Sequence, residues 1–289
     1  MLNGFKNMLR NLSENCENLS INTATLGYEH SLINKIDQIA RAGFGGIAPW
    51  RSEVDEKNPI PVTKLIKDAG LSVTGYCRSA YFTGPDEDSR KKSIENNIIG
   101  IRTASLLGAE CFIAVVGGLA KGTRNIEENR KQILEGLFSI GKIASEEGVP
   151  IALEPLHPVY ASDRSLLNTI DQAIKWCDEL NQTFPGTFGI AIDVYHVWWD
   201  PKLYENLMRA KSIILAFHVS DWLIPTKDPL MDRGMMGDGI IELKKIRNAL
   251  EDNGYTGSVE VEIFSSNNWW KRPIIETLDT CMDRLKNIC

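Results

Sequence analysis

The amino-acid sequence predicts an α/β protein folded as a single-domain (β/α)8 TIM barrel. Short apolar runs rich in β-branched residues alternate with longer stretches of helical period, which is the pattern of repeated βα units around a parallel sheet. Eight such units in sequence close most naturally into a barrel. Glycine follows five of the helical stretches, where a left-handed helix C-cap is favoured: Gly43, Gly70, Gly108, Gly148 and Gly254.

The predicted strands cover residues 19–24, 45–49, 72–77, 111–116, 150–154, 187–193, 213–218 and 258–263. The predicted helices cover residues 31–42, 63–69, 89–107, 126–147, 165–180, 203–210, 243–253 and 274–287. An open doubly wound sheet would carry a glycine-rich dinucleotide turn after its first strand, and residues 22–30 do not form one. We assign residues 1–18 to an N-terminal leader and residues 19–289 to the barrel.

The composition is that of an ordinary globular protein, with 43% hydrophobic and 24% charged residues in a chain of 289. A formal net charge of −6 argues against a basic groove for nucleic acid. The sequence has neither a membrane-length apolar run nor the apolar region of a signal peptide, so we expect a cytoplasmic protein without a membrane partner. The six cysteines include no CxxC pair and are expected to be reduced thiols.

Four metal-competent side chains stand at or just after the ends of the last four predicted strands. They are Glu154 in LEPLHP, Asp193 in IDVYH, His218 in FHVSD and Glu262 in VEVEIF. Strand ends of a barrel are neighbours in space, and charged groups ending apolar strands are costly to desolvate unless a cation neutralises them. The sequence therefore predicts a site for one divalent metal. Three carboxylates and one imidazole favour Mn²⁺, with Mg²⁺, Co²⁺ and Zn²⁺ as alternatives.

These four segments, with the Asp193-x-x-His196 pair and the run Arg233-Gly-Met-Met-Gly-Asp-Gly239, resemble the xylose-isomerase-like TIM-barrel superfamily. Its members include tagatose 3-epimerase-type sugar epimerases, other sugar and sugar phosphate isomerases, and endonuclease IV-type nucleases. The similarity covers nearly the whole chain after residue 18. It specifies the superfamily and leaves the substrate open.

In the epimerase branch, the resemblance implies that the metal-binding glutamates Glu154 and Glu262 are also the catalytic proton-transfer pair. It further implies that His196 and Arg233 bind substrate oxygens. Glu260 lies two residues earlier on the same strand face, one pleat deeper, so the strand-ending Glu262 matches the family better.

The chemistry expected of this set is proton abstraction next to the carbonyl of a ketose or keto-sugar, through a metal-stabilised enediolate. Reprotonation of that enediolate yields an epimer or an isomer. Expulsion of a β-substituent would instead make the protein a lyase, such as the large subunit of a C-glycoside deglycosidase acting on 3-oxo-glycosides with a small partner subunit. The same residues serve either reaction.

Three further residues distinguish this chain. His157, where sugar epimerases commonly have an acidic residue, is either a third proton-transfer group or a structural residue behind the ligands. Trp222 belongs to a set of aromatic residues near the strand ends that is suited to stacking on sugar rings or an aromatic aglycone. Arg78, after the third strand, either binds a phosphate or carboxylate of the substrate or forms a salt bridge between loops.

Two other classes of function remain as alternatives. An endonuclease IV-type nuclease assembles three metals and needs many histidines, whereas this chain has only four. A sugar-binding barrel without catalysis would keep the fold and have no activity. The expected partners are a small carbohydrate or glycoside substrate and further copies of this chain in a homo-oligomer.

Overall fold

The computed structural model describes residues 10–14 and 16–289 and shows a nearly closed parallel barrel. The strand segments are β1 Leu19–Asn22, β2 Gly46–Ala48, β3 Ser72–Val73, β4 Tyr76–Cys77, β5 Phe112–Ala114, β6 Ile151–Leu153, β7 Phe188–Asp193, β8 Ile214–Val219 and β9 Val259–Val261. They pair in the order β3-β2-β1-β9-β8-β7-β6-β5-β4. The predicted (β/α)8 barrel is confirmed.

The nine segments correspond to the eight predicted strands because the predicted strand 72–77 forms both β3 and β4. The amide of Thr74 donates to the carbonyl oxygen of Ile47, and the amide of Tyr76 donates to that of Cys111, at 3.0 Å each. This short run therefore bonds to the strands on both of its sides and closes the barrel.

Helices surround the sheet and follow the predicted order. Their bounds are α1 Leu32–Arg41, α2 Ile60–Asp68, α3 Glu87–Leu107, α4 Ile126–Glu147, α5 Ile170–Asn181, α6 Val194–Val197, α7 Leu203–Ala210, α8 Leu243–Asp252 and α9 Ile274–Asn287. All five glycines expected at helix ends have positive φ, between 66° and 95°. The short α6 was not predicted.

The predicted helix 165–180 begins too early. The hydroxyl of Thr169 caps α5 by accepting from the amide of Gln172, so the helix starts at Ile170. The preceding residue Ser165 instead forms a parallel bridge with Gly117, in the loop after β5. Long-range pairing with that loop therefore replaces the first helical turn.

The described end of the predicted leader packs against the barrel. The side chain of Arg10 forms an ion pair with Glu251 on α8 at 3.0 Å, and Leu12 is buried in the hydrophobic core. Residues 1–9 and 15 of the leader lie outside the described residues, and the boundary at residue 18 stays a prediction. No helix among the described residues is both long and apolar enough to cross a membrane.

The irregular stretch 222–239, between β8 and α8, is anchored by one buried carboxylate. Asp221 Oδ1 accepts from the amides of Trp222 and Ile241, and its Oδ2 accepts from those of Gly237 and Gly239, all at 2.9 Å. Asp221 also forms an antiparallel bridge with Gly234. The loop is thereby folded back over the carboxyl end of the barrel.

Replacing Asp221 with Asn should destabilise the protein, because the amide group of Asn cannot accept from the backbone donors that bind one of the carboxylate oxygens. We expect a loss of about 2–3 kcal/mol in the free energy of unfolding, measured by chemical denaturation. Asp238→Asn is the matched control, because this exposed carboxylate of the same loop has only a 3.5 Å ion pair with Arg284. Equal losses in the two variants would contradict the anchoring role of Asp221.

Candidate metal centre and active site

The predicted metal ligands come together at the carboxyl end of the barrel. Glu154 directly follows β6, Asp193 ends β7, His218 lies in β8, and Glu262 directly follows β9. All four are buried, and one potential ligand atom from each lies within 4.8 Å of the others. The Nδ1 atom of His218 is 3.5 Å from Glu154 Oε1 and 3.7 Å from Glu262 Oε2. This group can hold a metal ion.

Three atoms of this group are buried and make no hydrogen bond in the described part of the chain: Glu154 Oε1 and both ring nitrogens of His218. Glu154 Oε1 and His218 Nδ1 face the other ligands. Buried polar atoms are normally paired, and an unpaired one is costly. A cation between the four side chains would engage both atoms, so the residues present fit a divalent metal.

Glu260 lies beneath the four residues, in the barrel interior, as its strand position predicts. Its carboxylate accepts from the side chains of Asn22 at 3.2 Å and Thr74 at 2.7 Å, and one oxygen lies 3.6 Å from His218 Nε2. Burial opposes the charged form of His218, but Glu260, Glu154 and Glu262 outweigh it and raise the pKa of His218 to about 10. Glu260 thus lies beside Nε2 without a hydrogen bond to it, in a position to orient the imidazole, while Nδ1 is directed at Glu154 and Glu262.

Arg233 binds the opposite side of the group. Its Nη1 donates to Asp193 Oδ2 at 2.8 Å and to Glu262 Oε2 at 3.3 Å. Burial would raise the pKa of Asp193, but the adjacent Arg233 holds it below its ordinary value. Burial raises the pKa of Glu262 to about 8, with Arg233 acting against the shift and Glu154 adding to it. Of the two carboxylates that bind Arg233, Glu262 therefore has the higher pKa and Asp193 the lower one.

His196 is a neutral imidazole at physiological pH, because burial lowers its pKa to about 3. Its Nε2 lies 3.1 Å from Nη2 of Arg233, and a guanidinium can only donate, so Nε2 accepts and the proton resides on Nδ1. Nδ1 is buried without a hydrogen-bond partner among residues 10–14 and 16–289. It is a donor available to a substrate oxygen.

These groups border a cavity of about 190 Å³. Glu154, Glu262, His196 and Arg233 line it, whereas Asp193 and His218 are fully buried beneath it. The rest of the wall includes Trp50, Arg78, Tyr160, Arg164, Met231 and Phe264. The predicted substrate-binding residues His196, Arg233 and Arg78 therefore reach the same space as the predicted proton-transfer pair.

Trp222 and His157 are not among the residues that line this cavity. Their rings stack at 5.0 Å, and His157 also meets Trp199 edge-on at 5.7 Å. His157 Nδ1 accepts from the amide of Val159, which caps a short helical turn, and partial burial lowers the pKa of His157. This geometry favours the structural alternative for His157, and substrate contact by Trp222 stays a prediction.

Three residues of the site were not predicted from the sequence: Asn22, Tyr160 and Arg164. Asn22 ends β1 and donates to Glu262 Oε1 at 3.0 Å, while its own oxygen accepts from the indole of Trp50 at 2.7 Å. A polar residue ending an apolar run was the available signal for Asn22. Tyr160 and Arg164 lie in the irregular segment after β6, where no periodic pattern marks a residue.

Replacing Glu260 with Gln should weaken metal binding by about 10–100-fold while leaving the four ligands in place, because the residue that orients a metal-binding histidine tunes affinity to this extent. Isothermal titration of the metal-free protein with Mn²⁺ and with Zn²⁺ measures the effect. Glu110→Gln is the control, since Glu110 is exposed just before β5, at the opposite end of the barrel. Unchanged affinity in Glu260→Gln would refute the orienting role.

The comparisons with known proteins agree with this fold. Residues 36–285 match the family described as xylose isomerase-like TIM barrel. A crystal structure of a protein from Sinorhizobium meliloti 1021 is 45% identical, with a TM-score of 0.91 over 95% of this chain and 99% of that chain. A structure of the IolI protein with a bound zinc atom is 21% identical, with a TM-score of 0.79 over 94% of this chain and 97% of that one.

Among curated relatives, the L-ribulose-5-phosphate 3-epimerase UlaE of Shigella flexneri is 22% identical over 244 residues, which are 80% of this chain and 78% of the relative. Such a relative supports an enzyme of the sugar-modifying kind, in the isomerase and epimerase class. The resemblance predicted from the four strand-end segments is confirmed. The chain belongs to the xylose isomerase-like TIM-barrel family.

Proposed function

We propose that the protein is a divalent-metal-dependent sugar epimerase or isomerase, which removes a proton from the carbon next to the carbonyl of a ketose or keto-sugar. One observation carries the proposal. Glu154 and Glu262 reach one cavity beside Asp193 and His218, with potential ligand atoms within 4.8 Å of one another. The epimerase named among the relatives supports the reaction class.

The metal proposed is Mn²⁺, because three carboxylates and one imidazole form a mostly hard donor set. Mg²⁺, Co²⁺ and Zn²⁺ are the alternatives, and the zinc of IolI supports a divalent ion at such a site. When held by the four side chains, the ion would polarise the substrate carbonyl and lower the barrier to removal of the adjacent proton.

We assign the proton transfer to Glu154 and Glu262. One carboxylate takes the proton from the substrate carbon to give an enediolate, and the other returns a proton. Return to the opposite face gives an epimer, and return to the neighbouring carbon gives an isomer. Both carboxylates line the cavity, so each can reach a substrate carbon bound there.

Arg233 and His196 are proposed to hold the substrate oxygens. The neutral His196 offers its Nδ1 proton, and the buried guanidinium of Arg233 supplies a fixed positive charge beside the carboxylates. Both groups face the cavity that Glu154 and Glu262 share. They would orient the reacting carbon between the two glutamates.

Glu154→Gln and Glu262→Gln should each reduce turnover by about 10²–10⁴-fold, because each removes one partner of the proton transfer. Turnover is measured as solvent deuterium incorporation into a panel of ketoses and keto-sugars. The reactions contain Mn²⁺, and the incorporation is followed by ¹H NMR. Glu128→Gln, on the exposed face of α4, is the control. Deuterium exchange that persists in both active-site variants would contradict the assignment of proton transfer to Glu154 and Glu262.

The same assay separates the alternatives. Release of an aglycone from a 3-oxo-C-glycoside would identify a lyase and overturn the epimerase. Metal counting by native mass spectrometry tests the nuclease alternative, since three ions per chain would favour it and one ion would exclude it. An oligomer of identical chains and a cytoplasmic location stay predictions, the first to be tested by light scattering.

A further inference from the structure

Two arginines of the cavity wall have no part in the proposed chemistry. Arg78 follows β4, and Arg164 lies in the segment between β6 and α5. The carboxylates of Glu262 and Asp193 bind Arg233, but neither Arg78 nor Arg164 forms an ion pair within the described parts of the chain. Two guanidinium charges thus face a small cavity without a neutralising partner.

Both arginines rest on tyrosine rings. The Cζ atom of Arg78 lies 4.6 Å from the centre of the Tyr81 ring, and that of Arg164 lies 5.8 Å from the centre of the Tyr160 ring. Tyr160 is buried with Val115 and Leu156 in a small apolar cluster, and Tyr81 packs against the same cluster. These contacts hold each guanidinium against an aromatic ring and leave N–H groups free to donate.

The hydrogen bonds of the two side chains support this. Arg78 donates from Nη1 to the carbonyl oxygen of Ser79 at 3.1 Å, which leaves its other N–H groups available. Arg164 makes no side-chain hydrogen bond to any residue in the ranges 10–14 and 16–289, and it is only half-buried. Neither arginine is therefore committed to a structural bridge between loops.

The glycine pair after β5 lies between the segment that carries Arg164 and the ring that supports Arg78. The amide of Gly117 donates to the carbonyl oxygen of Arg164 at 3.0 Å, and a Cβ atom on Gly117 would lie 2.9 Å from the Cβ of Tyr81. A Cβ atom on Gly118 would lie 2.6 Å from the backbone of Asp163. Only residues without side chains allow the segment of Arg164 and the ring that supports Arg78 to approach the same loop.

We propose that the substrate of this site carries an anionic substituent, a phosphate or a carboxylate, which Arg78 and Arg164 bind together. The inference rests on the proposed function, because it names the substrate class of that site. Guanidinium groups match the oxygen geometry of both anions, and two unpaired cations in one cavity repel each other until an anion lies between them. The anionic group would be held apart from the carbon that reacts between Glu154 and Glu262.

The test measures anion binding and does not depend on turnover. Inorganic phosphate and acetate are titrated calorimetrically into the metal-free and the Mn²⁺-loaded protein at constant ionic strength. The wild type should bind one of them saturably, with tighter phosphate binding indicating a phosphate ester and tighter acetate binding a carboxylate. Arg78→Gln and Arg164→Gln should each weaken that binding by about tenfold or more.

Two further sets of variants keep the test decisive. Arg78→Lys and Arg164→Lys retain the charge but lose the planar fork, so their affinities should lie between those of the wild type and the glutamine variants. Arg102→Gln, on the exposed face of α3, should bind as the wild type does. Circular dichroism establishes that each variant is folded.

Equal anion affinity in the wild type and the double glutamine variant would overturn the inference, as would no saturable binding of either anion by the wild type. Anion binding that persists in the double variant but vanishes without Mn²⁺ would assign the anion to the metal and likewise overturn it. If anion binding depends on the two arginines but the protein catalyses no deuterium exchange, the anion site is supported and the proposed reaction is contradicted.

Discussion

The structure depends on the burial of three carboxylates and an imidazole at one end of the barrel. Glu154, Asp193, Glu262 and His218 are all removed from water, where their mutual repulsion and lost hydration would be costly. Two groups offset part of this cost. The guanidinium of Arg233 donates to Asp193 and to Glu262. Beneath them, His218 lies beside Glu260, whose carboxylate accepts hydrogen bonds inside the barrel. A divalent ion would neutralise the remaining charge.

The strand-end side chains were predictable from the sequence because their positions follow from local periodicity. In a parallel barrel, successive strands start and end at common levels, so a polar residue that closes an apolar run points to the same end as its counterparts. The register shows this directly, since Asp193 pairs with His218 and His218 with Glu260. The depth of Glu260 followed from the same rule.

The loop residues were not predictable in this way, because long-range contacts place them. Arg164 reaches the cavity through pairing of its segment with Gly117, a residue 47 positions earlier in the chain. The same pairing delays the start of α5, which the helical period had placed at residue 165. Of the two roles predicted for His157, the contacts favour the structural one, because its ring stacks on Trp222 and its Nδ1 accepts from the amide of Val159. In each case a tertiary contact outweighs the local pattern.

The anchoring of residues 222–239 also bears on the position of Arg233. Four backbone amides converge on Asp221, and the loop that they fasten carries Arg233. Opening of this loop would break these bonds and withdraw Arg233 from Asp193 and Glu262. Arg78 and Arg164 line the same cavity and are positioned by other segments, after β4 and between β6 and α5. The positive charge that partly offsets the buried carboxylates therefore depends on a carboxylate outside the cavity, Asp221.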